Sequence, residues 1–300
     1  MRRMLAVVAA VLLTASLAQA QDASRTLKKI GESNAISLGF RDSSTPLSYL
    51  DGDQKPVGYA IDICLAIVEA VKKDLKLDKL DVRYVPVTSS TRIPLIANGT
   101  IDLECGSTTN NIERQKQVGY TYTHFLTASR FVSKAAAGLR TIEDLRGKTI
   151  VSTSGSTNIK QASEVNSAKG MGMTILPAKD HAEAFLMVET GRAVAFVMDD
   201  VLLSSLIASA KVPKDYVLSQ DAFSLPEPYG IMLPRGDVGF KKVVDEAVAT
   251  LFKSAAGKAN YDKWFNAPIP PRGLTLNVPM SAALQKAYAE PSDSPDPASY

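Results

Sequence analysis

The run Ile101-Asp102-Leu103-Glu104-Cys105-Gly106-Ser107-Thr108-Thr109-Asn110-Asn111-Ile112-Glu113-Arg114-Gln115-Lys116 holds a strand, a turn and a helix start in unbroken succession. Ile101, Leu103 and Cys105 alternate with Asp102 and Glu104, the pattern of a half-buried strand. Gly106 to Asn110 is a small, polar turn. Asn110 stands three residues before Glu113, an arrangement close to a capping box. A helix start leaves backbone N–H groups without partners and so favours an anion. Arg114 falls in that first turn, where a cation opposes the helix dipole. Two readings follow. Either the guanidinium fork holds a carboxylate, or it is a solvated arginine in an ordinary strand-to-helix loop.

The same grammar recurs on both sides of this run. Upstream, Ala35 to Gly39 reads as a strand running into Phe40-Arg41-Asp42-Ser43-Ser44-Thr45-Pro46. A short hairpin is expected over residues 47–53. Ala60 to Lys73 is a helix with Ile61, Cys64, Leu65, Val68 and Val71 on one apolar stripe, leaving Asp62 solvated. Val82 to Val87 is a strand, followed by Thr88-Ser89-Ser90-Thr91-Arg92 and a helix closed by Asn98-Gly99. Downstream, Lys148 to Ser152 is a strand feeding the hydroxyl-rich turn Thr153-Ser154-Gly155-Ser156-Thr157-Asn158. Met173 to Leu176 is a strand before Ala178-Lys179-Asp180-His181, and Arg192 to Met198 is a strand ending at Asp199-Asp200. Strands alternating with helices imply parallel βαβ units. Ligands of such sheets collect beyond the carboxyl ends of the strands. Arg41, Ser89, Arg92, Ser107, Thr109 and Arg114 all fall there.

The chain opens with Arg2 and Arg3, an apolar run from Leu5 to Leu17, and Ala18-Gln19-Ala20. This is the pattern of a secretory signal peptide cleaved after Ala20, and the run is short of the roughly 20 apolar residues a spanning helix needs. The expected mature chain of 280 residues is soluble, lies outside the cytoplasm and is long enough for two lobes. The formal charge of +3 falls to +1 without Arg2 and Arg3, which argues against nucleic acid as the main partner. Cys64 and Cys105 allow either one disulfide or two buried thiols. The prolines at 291, 295 and 297 suggest a disordered tail from Ser292 onward.

Common catalytic signatures are missing. There is no G-x-G-x-x-G, H-E-x-x-H, C-x-x-C or G-x-S-x-G pattern. The histidines His124 and His181 lack neighbours at metal-binding spacing. No cofactor or metal is expected.

Several runs together resemble the periplasmic glutamate/aspartate-binding proteins of bacterial ABC uptake systems, within the polar amino-acid solute-binding family. They are Glu69 to Lys73, Arg92-Ile93-Pro94-Leu95, Glu104 to Asn111, Glu113 to Gln117, Ala178-Lys179-Asp180-His181, Gly191 to Phe196, Met198-Asp199-Asp200, Lys263-Trp264-Phe265 and Pro268-Ile269-Pro270-Pro271. They span nearly the whole mature chain. The resemblance implies an α/β, two-lobed periplasmic-binding-protein fold, each lobe a mixed sheet flanked by helices, with the ligand in the interlobe cleft. Its expected divisions are a signal peptide at 1–20, lobe 1 at 21–128, lobe 2 at 129–229, and a return to lobe 1 with C-terminal helices and tail at 230–300.

By the same resemblance Arg114 holds the ligand α-carboxylate, helped by Thr109 and Thr157. Ser107 and Asp199 meet the ammonium. Arg41, Ser89, Arg92 and His181 meet the side-chain carboxylate. Charge agrees with this, because Arg114 and Asp199 match a bare zwitterion, and Arg41 and Arg92 would be buried surplus without a second carboxylate. The implied partners are L-glutamate or L-aspartate and the subunits of an ABC permease, and the implied state is a monomer in the periplasm. A second reading is a periplasmic dehydratase of prephenate or arogenate type on the same fold, with Glu104, Glu113 or His181 as general acid.

Overall fold

The computed structural model describes residues 24–300, so the expected signal peptide lies outside the described residues. Helix α1 (Arg25–Ser33) leads into strand β1 (Ala35–Phe40) and a small antiparallel sheet, β2 (Ser43–Ser44), β3 (Ser48–Leu50) and β4 (Pro56–Val57). Then follow α2 (Tyr59–Asp74), β5 (Asp81–Pro86), α3 (Arg92–Ala97), β6 (Leu103–Glu104), α4 (Ile112–Gln115) and β7 (Val118–Tyr120). Strand β8 (Phe125–Thr127) leads into a second series: β9 (Ser129–Lys134), β10 (Thr149–Thr153), α5 (Thr157–Ala168), β11 (Thr174–Ala178), α6 (His181–Glu189), β12 (Ala195–Asp199), α7 (Asp200–Ser209) and β13 (Tyr216–Leu218). Strand β14 (Glu227–Tyr229) then returns the chain to β15 (Met232–Pro234), α8 (Val238–Phe252), α9 (Ala255–Phe265) and α10 (Ala282–Ala289).

The two series form two separate five-stranded sheets, ordered β5-β1-β6-β15-β7 and β11-β10-β12-β9-β13. In the first, β1 runs parallel to β5 and β6, and β15 is antiparallel to its neighbours. In the second, β10 runs parallel to β11 and β12, and β9 is antiparallel to β12 and β13. Each is a mixed sheet with helices packed on it, so the chain has the two-lobed form. Strands β8 and β14 pair with each other, register Glu227 with Thr127 and Tyr229 with Phe125, and Tyr229 also makes an isolated antiparallel bridge to Thr109. They carry the chain between the lobes.

Four local expectations need correction. Asp102 and Glu104 are buried, so the strand before the central turn is not half-solvated. It lies third in a five-stranded sheet covered on both faces, where a polar side chain needs a partner. Asp102 finds Lys29 Nζ at 2.7 Å and the Ser37 N–H at 2.8 Å. The helix cap is Asn111, whose side chain accepts from the Arg114 N–H, and α4 is only four residues long. Asp62 is half-buried and paired rather than free in solvent, accepting from Lys263 Nζ and from Trp264 Nε1 at 2.7 Å. Finally, the tail beyond Ser292 is ordered. Asp293 pairs with Lys241 at 2.9 Å, its carbonyl accepts from Asn110 Nδ2 at 2.9 Å, and the Tyr300 hydroxyl sits 2.7 Å from Thr123 Oγ1. Composition favoured disorder, but these tertiary contacts decide.

Cys64 on α2 and Cys105 just after β6 form a disulfide. It ties the helix under the first sheet to the turn that begins at Gly106. The chain-entropy relation for the 41-residue separation gives about 4 kcal/mol of stabilisation. Urea unfolding of the oxidised and reduced protein is expected to differ by roughly 2–4 kcal/mol. Coincident unfolding curves would show that the bond constrains nothing the fold does not already hold.

Candidate functional site

Each parallel strand delivers a polar group just past its carboxyl end. From the first sheet come Arg41 after β1, Ser89 after β5 and Ser107 to Thr109 after β6. From the second come Ser154 to Asn158 after β10, His181 after β11 and Asp199 at the end of β12. The two sets face each other across a cavity of about 190 Å³ lined by Ser89, Arg92, Ser107, Thr109, Ser156, Thr157, Asn158, His181, Met198 and Asp199. Larger surface grooves elsewhere lack this convergence of buried charge. Seven of the nine expected residues line it. Arg41 and Arg114 stand directly behind.

Arg41 is 2 % exposed. Its Nη2 donates to Ser89 Oγ at 3.0 Å and approaches His181 Nε2 at 3.5 Å. An arginine has no acceptor, so His181 Nε2 is the accepting nitrogen and its Nδ1–H donates to Thr153 Oγ1 at 2.8 Å. Burial, then the charges of Arg41 and Arg92, hold the His181 imidazole well below its ordinary pKa, and it is neutral. Burial, followed by Arg92, lowers Arg41 itself to about 10. His181 is the first residue of α6, capped by Asp180.

Arg92 Nη1 donates to the Ser107 carbonyl at 3.0 Å and to Thr108 Oγ1, and lies 3.7 Å from Glu104 Oε1. The expected surplus of two arginines is therefore reduced to one, because Arg92 carries an internal counter-ion. The alternation pattern hid Glu104 by assigning it to solvent. Among the described residues, Arg41 Nη1 and Arg92 Nε have no hydrogen-bond acceptor.

Arg114 joins the lobes. Its Nη1 donates to the Thr109 carbonyl at 2.9 Å, and its Nη2 to the Gly155 carbonyl at 3.2 Å. Thr109 Oγ1 and Thr157 Oγ1 are 3.4 Å apart across the same gap. The expected anion site at a helix start is not formed by α4, since Asn111 already caps the Arg114 N–H and four residues generate little dipole.

Asp199 is 3 % exposed. It accepts from the Tyr229 hydroxyl and from Asn158 Nδ2 at 2.9 Å. Burial raises its pKa, and these two donors oppose the rise. Asn158 and Tyr229 were missed by the sequence reading. Asn158 was visible in the second hydroxyl-rich turn, whereas nothing local marked Tyr229 on the returning strand. Glu227, two residues earlier on β14, is pushed up to about 7 by burial and by Asp199.

A family model for bacterial extracellular solute-binding proteins, family 3, matches residues 36–267. The chain belongs to this family. It is 51% identical over 287 residues to the L-glutamate/L-aspartate-binding protein of Pseudomonas aeruginosa, covering 95% of this chain and 94% of that one. It is 43% identical over 297 residues to the glutamate/aspartate import solute-binding protein of Escherichia coli, covering 98% of each. Among solved structures, an ancestral arginine-binding protein bound to arginine superimposes with a TM-score of 0.69 at 26% identity, over 77% of this chain and 98% of the other. An ancestral amino-acid-binding protein described as a precursor of cyclohexadienyl dehydratase gives 0.68 at 25% identity, over 80% and 99%.

None of the three candidate acids of the enzyme reading is free for that role. Glu104 is paired with Arg92, Glu113 is exposed and paired with Lys116, and His181 is neutral with both nitrogens engaged. Its curated relatives are binding and import proteins.

Two outcomes follow from this geometry. Gly155 has φ +77°, and a Cβ there would lie 2.7 Å from Ser90 Cα and 2.8 Å from the Ser89 carbonyl. Gly155→Ala is expected to hold the lobes apart, giving a larger radius of gyration in small-angle scattering. An unchanged radius would mean the contact yields. Glu227 binds its proton more tightly folded than unfolded, so its contribution is complete below about pH 4.5 and is lost as pH rises through about 7. Thermal melts of Glu227→Gln should diverge upward from the parent across that window. Parallel curves would contradict the shift.

Proposed function

We propose that this chain is an extracytoplasmic receptor that closes on L-glutamate or L-aspartate and hands it to an ABC permease. The observation that carries the reading is the charge around one cavity. Arg41, Arg92 and Arg114 are buried beside two carboxylates, Glu104 and Asp199, while Glu227, raised by burial and by Asp199, keeps its proton up to about pH 7. The cavity is therefore short of one negative charge, which is the net charge of an acidic amino acid at neutral pH. A neutral amino acid would leave that charge uncompensated, which is costly in a buried site. The high identity to two glutamate/aspartate-binding relatives over nearly their full length supports the same ligand class.

In this reading Arg114, with Thr109 and Thr157, takes the α-carboxylate, exchanging carbonyl contacts for stronger charge-assisted ones. Asp199 and Ser107 take the ammonium. Arg41 and Arg92 turn their unused Nη1 and Nε donors to the side-chain carboxylate, framed by Ser89 and His181. The ligand touches both lobes and so favours the closed state. The lobe divisions are 21–128, 129–229 and 230–300, with a leader removed after Ala20. The receptor acts in the periplasm as a monomer, without nucleic acid or cofactor.

Isothermal titration with an amino-acid panel tests the assignment. Arg114→Ala is expected to abolish binding of glutamate, aspartate and glutamine alike. Arg41→Gln should weaken glutamate by roughly 30- to several-thousandfold, the scale for truncating one partner of a buried charge pair, and narrow its lead over glutamine. A parent that binds leucine as tightly as glutamate would sink the acidic assignment.

A further inference from the structure

We infer that Glu104 is a specificity-setting residue: a buried counter-ion that fixes the charge of the cavity so that it matches a ligand of one net negative charge. The inference rests on the acidic-ligand reading above and concerns a residue that reading does not bring into contact with the ligand. Glu104 is fully buried on an interior strand. Its Oε2 accepts from Thr108 Oγ1, and its Oε1 lies 3.7 Å from Arg92 Nη1 and has no hydrogen-bond partner among the described residues. A Cβ at Gly106 would fall within 2.3 Å of that same Oε1 and 3.0 Å of Arg41 Cγ. The carboxylate thus lies under the turn, beside Arg92 and against the base of Arg41. It does not line the cavity, so it acts through the two arginines as a positioning residue and a fixed charge.

A solely structural acid would influence every ligand equally. A fixed charge instead changes the balance between an acid and its amide, which have nearly the same shape. Removing it by Glu104→Gln keeps an acceptor for Thr108 and raises the site by one positive charge. Removing Arg92 alone leaves Glu104 unmatched and lowers the site by one. Removing both restores the parent charge.

The test is a double-mutant cycle in which the ratio of glutamine to glutamate dissociation constants is titrated for the parent, Glu104→Gln, Arg92→Gln and the double variant. A unit charge held one residue away from an ionised ligand, at an effective dielectric of about 20, shifts its affinity by roughly tenfold. Glu104→Gln should therefore raise the ratio about tenfold, Arg92→Gln should collapse it, and the double variant should lie above Arg92→Gln, recovering the charge but not Arg92's own contact. Should a single variant fail to fold, the double variant, which buries no lone charge, carries the comparison with the parent. A parent that prefers glutamate while Glu104→Gln keeps the parent ratio overturns the inference alone. A parent with no preference overturns the acidic-ligand reading and this inference with it.

Discussion

Three guanidinium groups cannot be buried near one another unless something answers their charge, and most of the architecture around the cleft answers it. Arg41, Arg92 and Arg114 are each less than a tenth exposed. Backbone carbonyls at Ser107, Thr109 and Gly155 accept from Arg92 and Arg114. Glu104 supplies one full charge and Asp199 another at the far side. Carbonyl dipoles ease desolvation without neutralising a cation, so the residue of positive charge remains in the cleft. The site is stable with this residue because the arginines are fixed by the loops that follow four different strands, and none can withdraw to solvent.

The lobes share the task unequally. The first sheet contributes all three arginines. The second contributes hydroxyls, an amide, a neutral histidine and Asp199. The second lobe therefore sets an acidic group and a row of donors against a cationic face. The crossing strands take part directly, since Tyr229 on β14 donates to Asp199 at the end of β12. The connection between the lobes also holds the acid proposed to meet the ammonium. On the other side, the Cys64–Cys105 bond secures the residue between Glu104 and Gly106 to α2. The turn is thus held by a covalent bond below and by the Asn110–Asp293 contact at its far end.

Much of this was legible in the chain. The alternation of strand and helix, the two hydroxyl-rich turns and the placement of arginines at strand ends follow from periodicity and turn chemistry, which are local. What stayed hidden depends on pairings distant in sequence. Glu104 read as solvated because alternation assumes one wet face, and only the sheet order makes its strand central. Asn110 read as a cap, but the cap is Asn111, and Asn110 instead reaches residue 293. Tyr229 has no local motif, and its role exists only because β14 passes beside β12. The tail read as disordered from its prolines, yet Lys241 and Thr123 hold it.

The pairing of Arg92 with Glu104 raises a physical question that stability alone does not answer. A buried ion pair is often no better than an apolar pair of the same volume. If charge balance were the sole requirement, the chain could omit both residues and keep one net positive charge from Arg41, Arg114 and Asp199. What the pair adds is geometry. Arg92 uses Nη1 to hold the Ser107 carbonyl and Thr108 Oγ1, while Glu104 holds the same threonine from beneath. The loop bearing Ser107 and Thr109 is thereby pinned by two charged groups whose own charges cancel. An arginine placed there without its acid would pin the loop equally but double the excess charge, favouring dianions over amino acids. The pair thus supplies rigidity and a fixed charge together: Arg92 positions the loop, and Glu104 holds the site to the single excess positive charge on which the proposed discrimination by Arg41 and Arg92 depends.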